Sequence, residues 1–374
     1  MVKNRILILL WFSILILFFY GCKKNQETPR ENIKVVAVMS LSGEAKASGQ
    51  SSKNSLELLS KEFSKKGIEI IYLDDESNKE KAESSLKALI AKEKIKAIIL
   101  CNQGTSAEVV AKIATENQIV VINATATDVT VSNIGKDFLY SLCYSNEFEG
   151  NALAQFTYEK LKLSKVAILY NEEELYSKNL ADFYKGSFEK AGGQVTVMFS
   201  YKNNISDYSE VLQKIKNIKP DVLFIPDYYY KVYNIGRQAR NIGINTILLG
   251  GDGWDNSELL TKEEFQGSYF LSQFIASDSI PGTIEFKKQY EDKFKVLPDA
   301  RAALTYDAGT LILAIFENYS NSDNLLKLNE TLEKITMDGV SGNISFSQDK
   351  RAKKSSYIVE IKNKSLEIIS KVLP

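Results

Sequence analysis

Hydroxyl-bearing residues follow two neighbouring strands of the predicted sheet and are the first candidates for ligand binding. The segment GTSAE (residues 104–108) comes after an apolar run at 98–100, and NATATD (123–128) comes after a run at 119–122. Hydroxyl groups and the free N–H groups of a helix start bind carboxylates, and ligands of open α/β sheets lie beyond the carboxyl ends of the strands. A capping box at Thr105 and Glu108, and a plain polar turn after residue 122, are the purely structural alternatives.

A lone carboxylate ends a strand in the second half of the chain. Residues 250–255 (GGDGWD) follow the predicted strand at 246–249 and place Asp252 between two glycines. A carboxylate whose neighbours have no side chains can pair with a cation, and stabilisation of a turn is the alternative. Tyr176, Tyr228 and Tyr229 also lie near strand ends, where tyrosines either pack as a lid or form pocket walls with a polar group.

The composition excludes several kinds of chemistry. The chain has no histidine, which removes Ser-His and Cys-His catalysis and most zinc sites. No phosphate loop or calcium loop is present, so we expect no cofactor, no metal and no enzymatic activity. Lysine plus arginine and aspartate plus glutamate both total 47, and this zero net charge argues against a nucleic-acid partner. Cys101 and Cys143 form either one disulfide or two buried thiols.

The N-terminus has the layout of a bacterial export leader. A basic start with Lys3 and Arg5 is followed by an apolar run over residues 6–20 and by Gly21-Cys22, after which the chain turns polar. This order is typical of a secretory signal, and the apolar run is short for a membrane span. Cys22 resembles the lipidated cysteine of bacterial lipoproteins, and an uncleaved N-terminal anchor is the alternative. We therefore expect the body of the protein outside the cytoplasm, next to a membrane.

Short β-rich runs alternate with helical patterns over the rest of the chain. This βαβ order predicts an α/β protein with parallel sheets covered by helices. About 350 residues follow Cys22, more than a single core usually holds, so two domains are expected. The last three predicted helices span residues 283–294, 302–319 and 325–337.

Taken together, several segments resemble the periplasmic Leu/Ile/Val-binding protein family, the type I substrate-binding proteins of ABC transporters. The resemblance runs from about residue 34 to residue 361, and the order and spacing of the segments carry it. The matching segments are 38–43 with Gly49, 73–75, 100–106, 123–127, 149–150, Tyr176, 236–243, 251–254 and 305–308.

The resemblance implies two Rossmann-like lobes joined by a multi-strand hinge, with the ligand held between them. It implies that Thr105 or Ser106, the main chain at Thr125, and Thr127 bind the backbone of an amino acid. Asp252 would pair with the ammonium group, and Tyr176 with Tyr228 or Tyr229 would form the pocket wall. The expected domains are a signal peptide (1–21), a lipidated N-terminus and linker (22–32), an N-terminal lobe (33–143 plus 275–342) and a C-terminal lobe (144–274 plus 343–374).

The function expected from this resemblance is that of a monomeric, lipid-anchored solute-binding protein that passes an amino acid, branched-chain or similar, to an ABC transporter permease. Asp252 is one methylene shorter than the glutamate that branched-chain binders can use, so the identity of the ligand stays open. The alternative is a lipoprotein of the same fold that acts as an interaction, activator or sensor module without transport cargo.

Overall fold

The computed structural model describes residues 32–102, 104–276, 281–317 and 325–374, and the side chain of Thr105 is outside this part. The signal peptide expected over residues 1–21 and the lipid attachment expected at Cys22 lie outside the described residues and stay predictions. Within the described ranges, no helix is both long enough and apolar enough to cross a membrane.

The first half of the chain forms a sheet of five parallel strands in the order β2-β1-β3-β4-β5. The strands are β1 (Ile33–Met39), β2 (Ile68–Asp74), β3 (Ile95–Leu100), β4 (Val120–Asn123) and β5 (Leu139–Ser141). The helices between and after them are α1 (Lys46–Leu58), α2 (Ser60–Lys65), α3 (Lys79–Ile90), α4 (Gly104–Glu116) and α5 (Val129–Ile134).

Strand β1 shows why these strands are rich in apolar residues. Val35 and Ala37 pack into the core on one face of the sheet, whereas Val36 and Val38 pack into the core on the other face. Successive side chains of a strand point to opposite faces, so a strand covered by helices on both sides needs apolar residues at every position.

The second half forms a sheet of seven strands in the order β14-β13-β10-β9-β8-β6-β7. Its parallel strands are β6 (Lys165–Asn171), β7 (Gln194–Tyr201), β8 (Val222–Phe224), β9 (Ile247–Gly250) and β10 (Tyr269–Ser272). Its helices are α6 (Asn146–Gln155), which continues into a π-helical turn (Phe156–Lys160), α7 (Leu175–Lys190), α8 (Ser209–Ile218), α9 (Tyr229–Asn241) and α10 (Ser257–Leu260). Two 3-10 turns follow β9, at Asp252–Trp254 and Glu263–Phe265.

The far edge of this sheet is antiparallel, so the second sheet is mixed rather than wholly parallel. Strand β13 (Ser356–Lys362) pairs antiparallel with β10 and with β14 (Ser365–Val372). The two-residue loop between β13 and β14 has positive φ at both Asn363 and Lys364, as a tight hairpin turn of the favoured hand requires. The α/β fold with two mainly parallel sheets is confirmed.

The segment between the second parallel series and the last hairpin returns to the first sheet. It contains α11 (Pro281–Phe294), α12 (Ala300–Ile315), α13 (Leu325–Lys334) and the hairpin β11 (Thr336–Gly339) with β12 (Gly342–Ser345). Leu304, Ala308 and Leu311 of α12 join the core under β1 and β3. A helix that is apolar nearly all round is buried, which is what the sequence of α12 indicates.

The helix predicted over residues 325–337 is wrong beyond Lys334, because Met337 lies in strand β11. The turn of this hairpin is held by Asp307 of α12, which accepts hydrogen bonds from the main-chain N–H groups of Val340 (2.7 Å) and Ser341 (3.0 Å). These contacts join parts of the chain more than 30 residues apart, so helical periodicity along one segment cannot reveal them.

The two cysteines of the described chain are buried free thiols, which decides between the two alternatives left open by the sequence. Burial raises the pKa of Cys101 to about 12 and that of Cys143 to about 11. Neither residue therefore provides a covalent crosslink, and both behave as small apolar core residues.

Candidate ligand-binding site

The polar turns after β3 and β4 are joined to each other at the carboxyl edge of the first sheet. The Thr125 hydroxyl donates to the main-chain oxygen of Asn102 at 3.1 Å, so its side chain serves the turn itself. Ser106 and Thr127 are both buried. The side chain of Thr105, the alternative to Ser106, lies outside the described part of the chain.

Asn123 shapes the second of these turns. Its side-chain oxygen accepts from the Ala126 main-chain N–H (2.9 Å), and its amide nitrogen donates to the Ala126 carbonyl (2.8 Å). This local closure of the chain is the role for which Asn is common in turns. The residues from Ala124 to Thr127 all carry small side chains, and all of them are buried.

The second lobe packs against both turns through the starts of α6 and α7. Asn179 of α7 donates to the Asp128 carboxylate at 2.9 Å, and the N–H of Asn146 donates to the Thr127 carbonyl at 2.9 Å. Just before α7, the Glu174 carboxylate lies against the backbone of Gly104, at the first turn of α4. The hydroxyl-rich turns of the first lobe and the first turn of α7 therefore face each other.

Asp252 lies in the 3-10 turn directly after β9, as its position after a predicted strand suggested. Its carboxylate accepts a hydrogen bond from the Gln273 side-chain amide (3.2 Å). The Tyr176 hydroxyl, which accepts from the Gly253 main-chain N–H at 3.0 Å, acts to lower the pKa of Asp252. The orientation of Gln273 is set by its oxygen, which accepts from the Tyr144 N–H at 3.0 Å. The Asp252 side chain is therefore held in place by Gln273 while remaining only half-buried.

The glycines beside Asp252 are required by close packing. A Cβ atom at Gly251 would lie 2.5 Å from the Tyr176 hydroxyl oxygen, and one at Gly253 would lie 2.7 Å from the Asp227 carbonyl oxygen. Both distances are far below van der Waals contact. The two glycines thus allow the turn to lie directly against α7, which brings Asp252 to Tyr176.

The electrostatic balance at Asp252 involves a buried cation that the sequence analysis missed. Burial raises the pKa of Asp252, and the Arg301 guanidinium opposes that rise. Arg301 lies in the first turn of α12, where it is 5% exposed and donates to the Asp255 carbonyl at 2.9 Å. The available signal was an arginine at the start of an otherwise apolar helix, since a charge is seldom buried there without a partner.

The three tyrosines take different positions. Tyr176 and Tyr228 stack with ring centroids 4.9 Å apart and an interplanar angle of 17°, next to the turn that carries Asp252. The Tyr229 ring does not join this stack, and its hydroxyl donates across to the Glu44 carbonyl of the first lobe at 3.4 Å. Of the two alternatives for the second wall residue, Tyr228 is the one that continues the surface of Tyr176.

Glu149 is a second acid that sequence reasoning did not place at the site. It belongs to α6, is completely buried, and accepts a hydrogen bond from the main-chain N–H of Asp252 at 2.5 Å. Glu149 was part of a matching segment, yet only the folded chain brings it next to Asp252, which is about 100 residues away in sequence.

Comparison with known proteins fits this arrangement of two sheets with polar turns between them. The sequence profile of periplasmic binding proteins matches residues 32–365, nearly the whole described chain. The chain belongs to the periplasmic binding protein family.

Several members of this family resemble the chain over most of its length. The Leu/Ile/Val-binding protein BraC3 of Rhizobium johnstonii is 24% identical over 73% of this chain and 71% of its own length. The crystal structure of the leucine-binding protein LivK from Thermotoga maritima superposes with a TM-score of 0.85 at 28% identity, covering 91% of this chain and 99% of LivK. The branched-chain amino acid transporter substrate-binding protein LivJ from Streptococcus pneumoniae, in complex with isoleucine, gives a TM-score of 0.84 at 24% identity, covering 92% and 100%. The two-lobed fold expected from the sequence is thereby confirmed.

Proposed function

We propose that this periplasmic binding protein is the substrate-binding component of an ABC transporter. Its cargo is a free amino acid, branched-chain or similar, bound between the two lobes. The names of its relatives support this proposal, since they are described as leucine-binding or Leu/Ile/Val-binding proteins and LivJ holds isoleucine. We propose a binding protein rather than an enzyme, working as a monomer with the permease of its transporter as its protein partner.

The observation that carries the proposal is the fixed carboxylate of Asp252 in one lobe and the hydroxyl-rich turns of the other lobe. An ionised carboxylate offers about four acceptor positions, more than the hydrogen bond from Gln273 uses. An ammonium group can donate to the remaining positions, and such charge-assisted bonds are among the strongest in proteins. A zwitterion that bridges the lobes therefore matches the two sides of the site.

The proposed contacts follow from these positions. Thr105 or Ser106, the main chain at Thr125, and Thr127 would bind the carboxylate and part of the ammonium group, with Asp252 completing the ammonium site. Tyr176 and Tyr228 would form the wall of the side-chain pocket, while Tyr229 would contribute by holding the lobes together through Glu44.

Mass spectrometry of small molecules released from the purified, denatured protein tests the proposed cargo most directly. We expect a branched-chain or similar amino acid, and calorimetry with that amino acid on refolded, ligand-free protein should show one site. If neither co-purification nor a thermal-shift screen of amino acids reveals a ligand, the proposal is wrong, and the role of an interaction or sensor module without cargo takes its place.

We also propose that Cys22 anchors the protein to a membrane through a lipid after removal of residues 1–21, with residues 22–32 as a linker. The lobe limits proposed are 33–143 with 275–342, and 144–274 with 343–374. Metabolic labelling with a fatty acid should mark the wild-type protein and leave Cys22→Ser unlabelled. Labelling of both forms would contradict the anchor at this residue.

A further inference from the structure

Glu149 is a buried acid whose two carboxyl oxygens have unequal surroundings. One oxygen, Oε1, accepts from the N–H of Asp252 at 2.5 Å and from the Tyr144 hydroxyl at 3.3 Å. The other, Oε2, is buried and has no hydrogen-bond partner among the described residues. An ionised carboxylate in this position would bury half of its negative charge without a donor, which is costly, so a proton on Oε2 is favoured.

The charges around Glu149 also favour its protonated state. Tyr144 and Tyr176 face it with phenol groups whose pKa values are raised by burial, so both stay neutral. Asp252 faces it as a second acid, and Arg301 is the cation that acts on both acids. Burial and the neighbouring Asp252 raise the pKa of Glu149 well above its ordinary value.

Arg301 cannot be assigned wholly to this pair of acids. Its charge also acts on Asp255 and Asp299, so the negative groups around it outnumber it when all are ionised. Two carboxyl groups that share too little positive charge do not both ionise, and one of them keeps a proton. Asp252 is only half-buried, whereas Glu149 is fully buried and has one oxygen without a hydrogen-bond partner among the described residues, so Glu149 is the acid that keeps it.

We propose that Glu149 carries a proton in the empty site and releases it when the ligand's ammonium group binds at Asp252. This inference rests on the proposed function, because it requires a ligand with an ammonium group. The ammonium group adds the missing positive charge, so that both carboxyl groups are then ionised. The O–H bond of the Glu149 carboxyl group breaks, its electron pair stays on the carboxylate, and the proton passes to the buffer.

Release of a proton on binding makes the affinity depend on pH. Mass action favours the complex at lower proton concentration, so the affinity rises by up to about tenfold per pH unit wherever Glu149 is protonated in the ligand-free protein and ionised in the complex. The rise ends once Glu149 is ionised in both. Glu149→Gln removes this dependence. The glutamine has the shape of the protonated acid, and its oxygen can still accept from the Asp252 N–H and the Tyr144 hydroxyl.

Calorimetry with L-isoleucine, or with the co-purified amino acid, tests the inference in two buffers of different ionisation enthalpy at the same near-neutral pH. We expect the wild type to release close to one proton per ligand and Glu149→Gln to release almost none. Glu147→Gln is the matched control, since Glu147 is an exposed acid of the same helix, and it should release as many protons as the wild type.

The outcomes separate this inference from the function on which it rests. Binding without proton release, proton uptake, or equal release by Glu149→Gln would each overturn the inference and leave the proposed function standing. Absence of binding to any amino acid would overturn both. If Glu149→Gln does not fold, as judged by circular dichroism, infrared difference spectra of the wild type decide: the carbonyl band of a protonated carboxyl group should disappear on ligand addition, and its persistence refutes the proposal.

Discussion

Replacement of Asp252 by asparagine removes the negative charge of the proposed ammonium site and changes the side-chain volume very little. The new side chain has one oxygen where the carboxylate has two, and the Gln273 amide already donates to this group at 3.2 Å. The asparagine NH₂ must then point either at that donor or at the ligand's ammonium group. Either arrangement places two donors against each other, so the ligand loses a charge-assisted bond without a replacement.

The expected loss can be estimated from the energy of one such bond. Hydrogen bonds to charged groups contribute about 1.5–3 kcal/mol, and about 1.4 kcal/mol corresponds to a tenfold change in affinity. We therefore expect Asp252→Asn to weaken binding by about ten- to a hundredfold. The free energy of unfolding should change by less than about 1 kcal/mol, because the substitution removes a desolvated charge and keeps the packing.

Titration calorimetry of refolded, ligand-free protein measures this loss, and thermal unfolding followed by circular dichroism checks the fold. Asp207→Asn is the matched control, because Asp207 is an exposed acid of the same lobe whose oxygen accepts from the Ser209 N–H, and asparagine keeps that acceptor. Unchanged affinity of Asp252→Asn with an intact fold would show that Asp252 only shapes its turn. An equal loss in the control would show that long-range charge, not a direct contact, is responsible.

Three further predictions concern packing, thiol reactivity and pH. Gly251→Ala places a methyl group 2.5 Å from the Tyr176 hydroxyl. We expect this substitution to lower the free energy of unfolding by about 1–3 kcal/mol and to weaken binding. An unaltered melting temperature would contradict the close packing. Cys101 and Cys143 should resist alkylation in the folded protein and react only with denaturant present, because both are buried with raised pKa values; rapid native labelling would be inconsistent with this. The pKa of Asp255 is raised to about 7 by burial, so this residue binds a proton more tightly in the folded than in the unfolded chain. Its contribution to the free energy of unfolding therefore decreases as the pH rises from about 4 to about 7. Asp255→Asn should therefore gain stability over the wild type across that range and keep a constant difference above it, and a pH-independent difference in urea denaturation would refute the argument.

The predicted strands and helices agree well with the structure where a segment carries its own pattern. Residues 33–39 are apolar at every position except Lys34 because the sheet is covered on both faces, and this is visible without any partner strand. The end of α13 is a segment whose own pattern indicates the wrong element. Residues 336–339 are strand rather than helix because they pair with residues 342–345 around a turn held by Asp307 of another helix.

Only part of the candidate site could be predicted from the sequence, because local patterns do not show which distant residues meet in the folded chain. Asp252 and the turn at 123–127 could be chosen because each follows a predicted strand, and strand ends are where ligands bind in such sheets. Glu149 and Arg301 could not, since each contacts Asp252 or its neighbours only after three distant elements have come together. Their importance comes from burial beside another charge, which is a property of the folded chain.

The amino-acid sequence by itself determined the fold class, the family resemblance and the acid and hydroxyl groups available to a ligand. These depend on residue type and local spacing. Only the tertiary structure decided that Tyr228 rather than Tyr229 stacks on Tyr176, that both described cysteines are free thiols, and that a buried glutamic acid lies against the main chain of Asp252. The physical reason is that the pKa of an acid and the energy of its contacts depend on the atoms that replace water around it. Those atoms come from parts of the chain that are far apart in sequence.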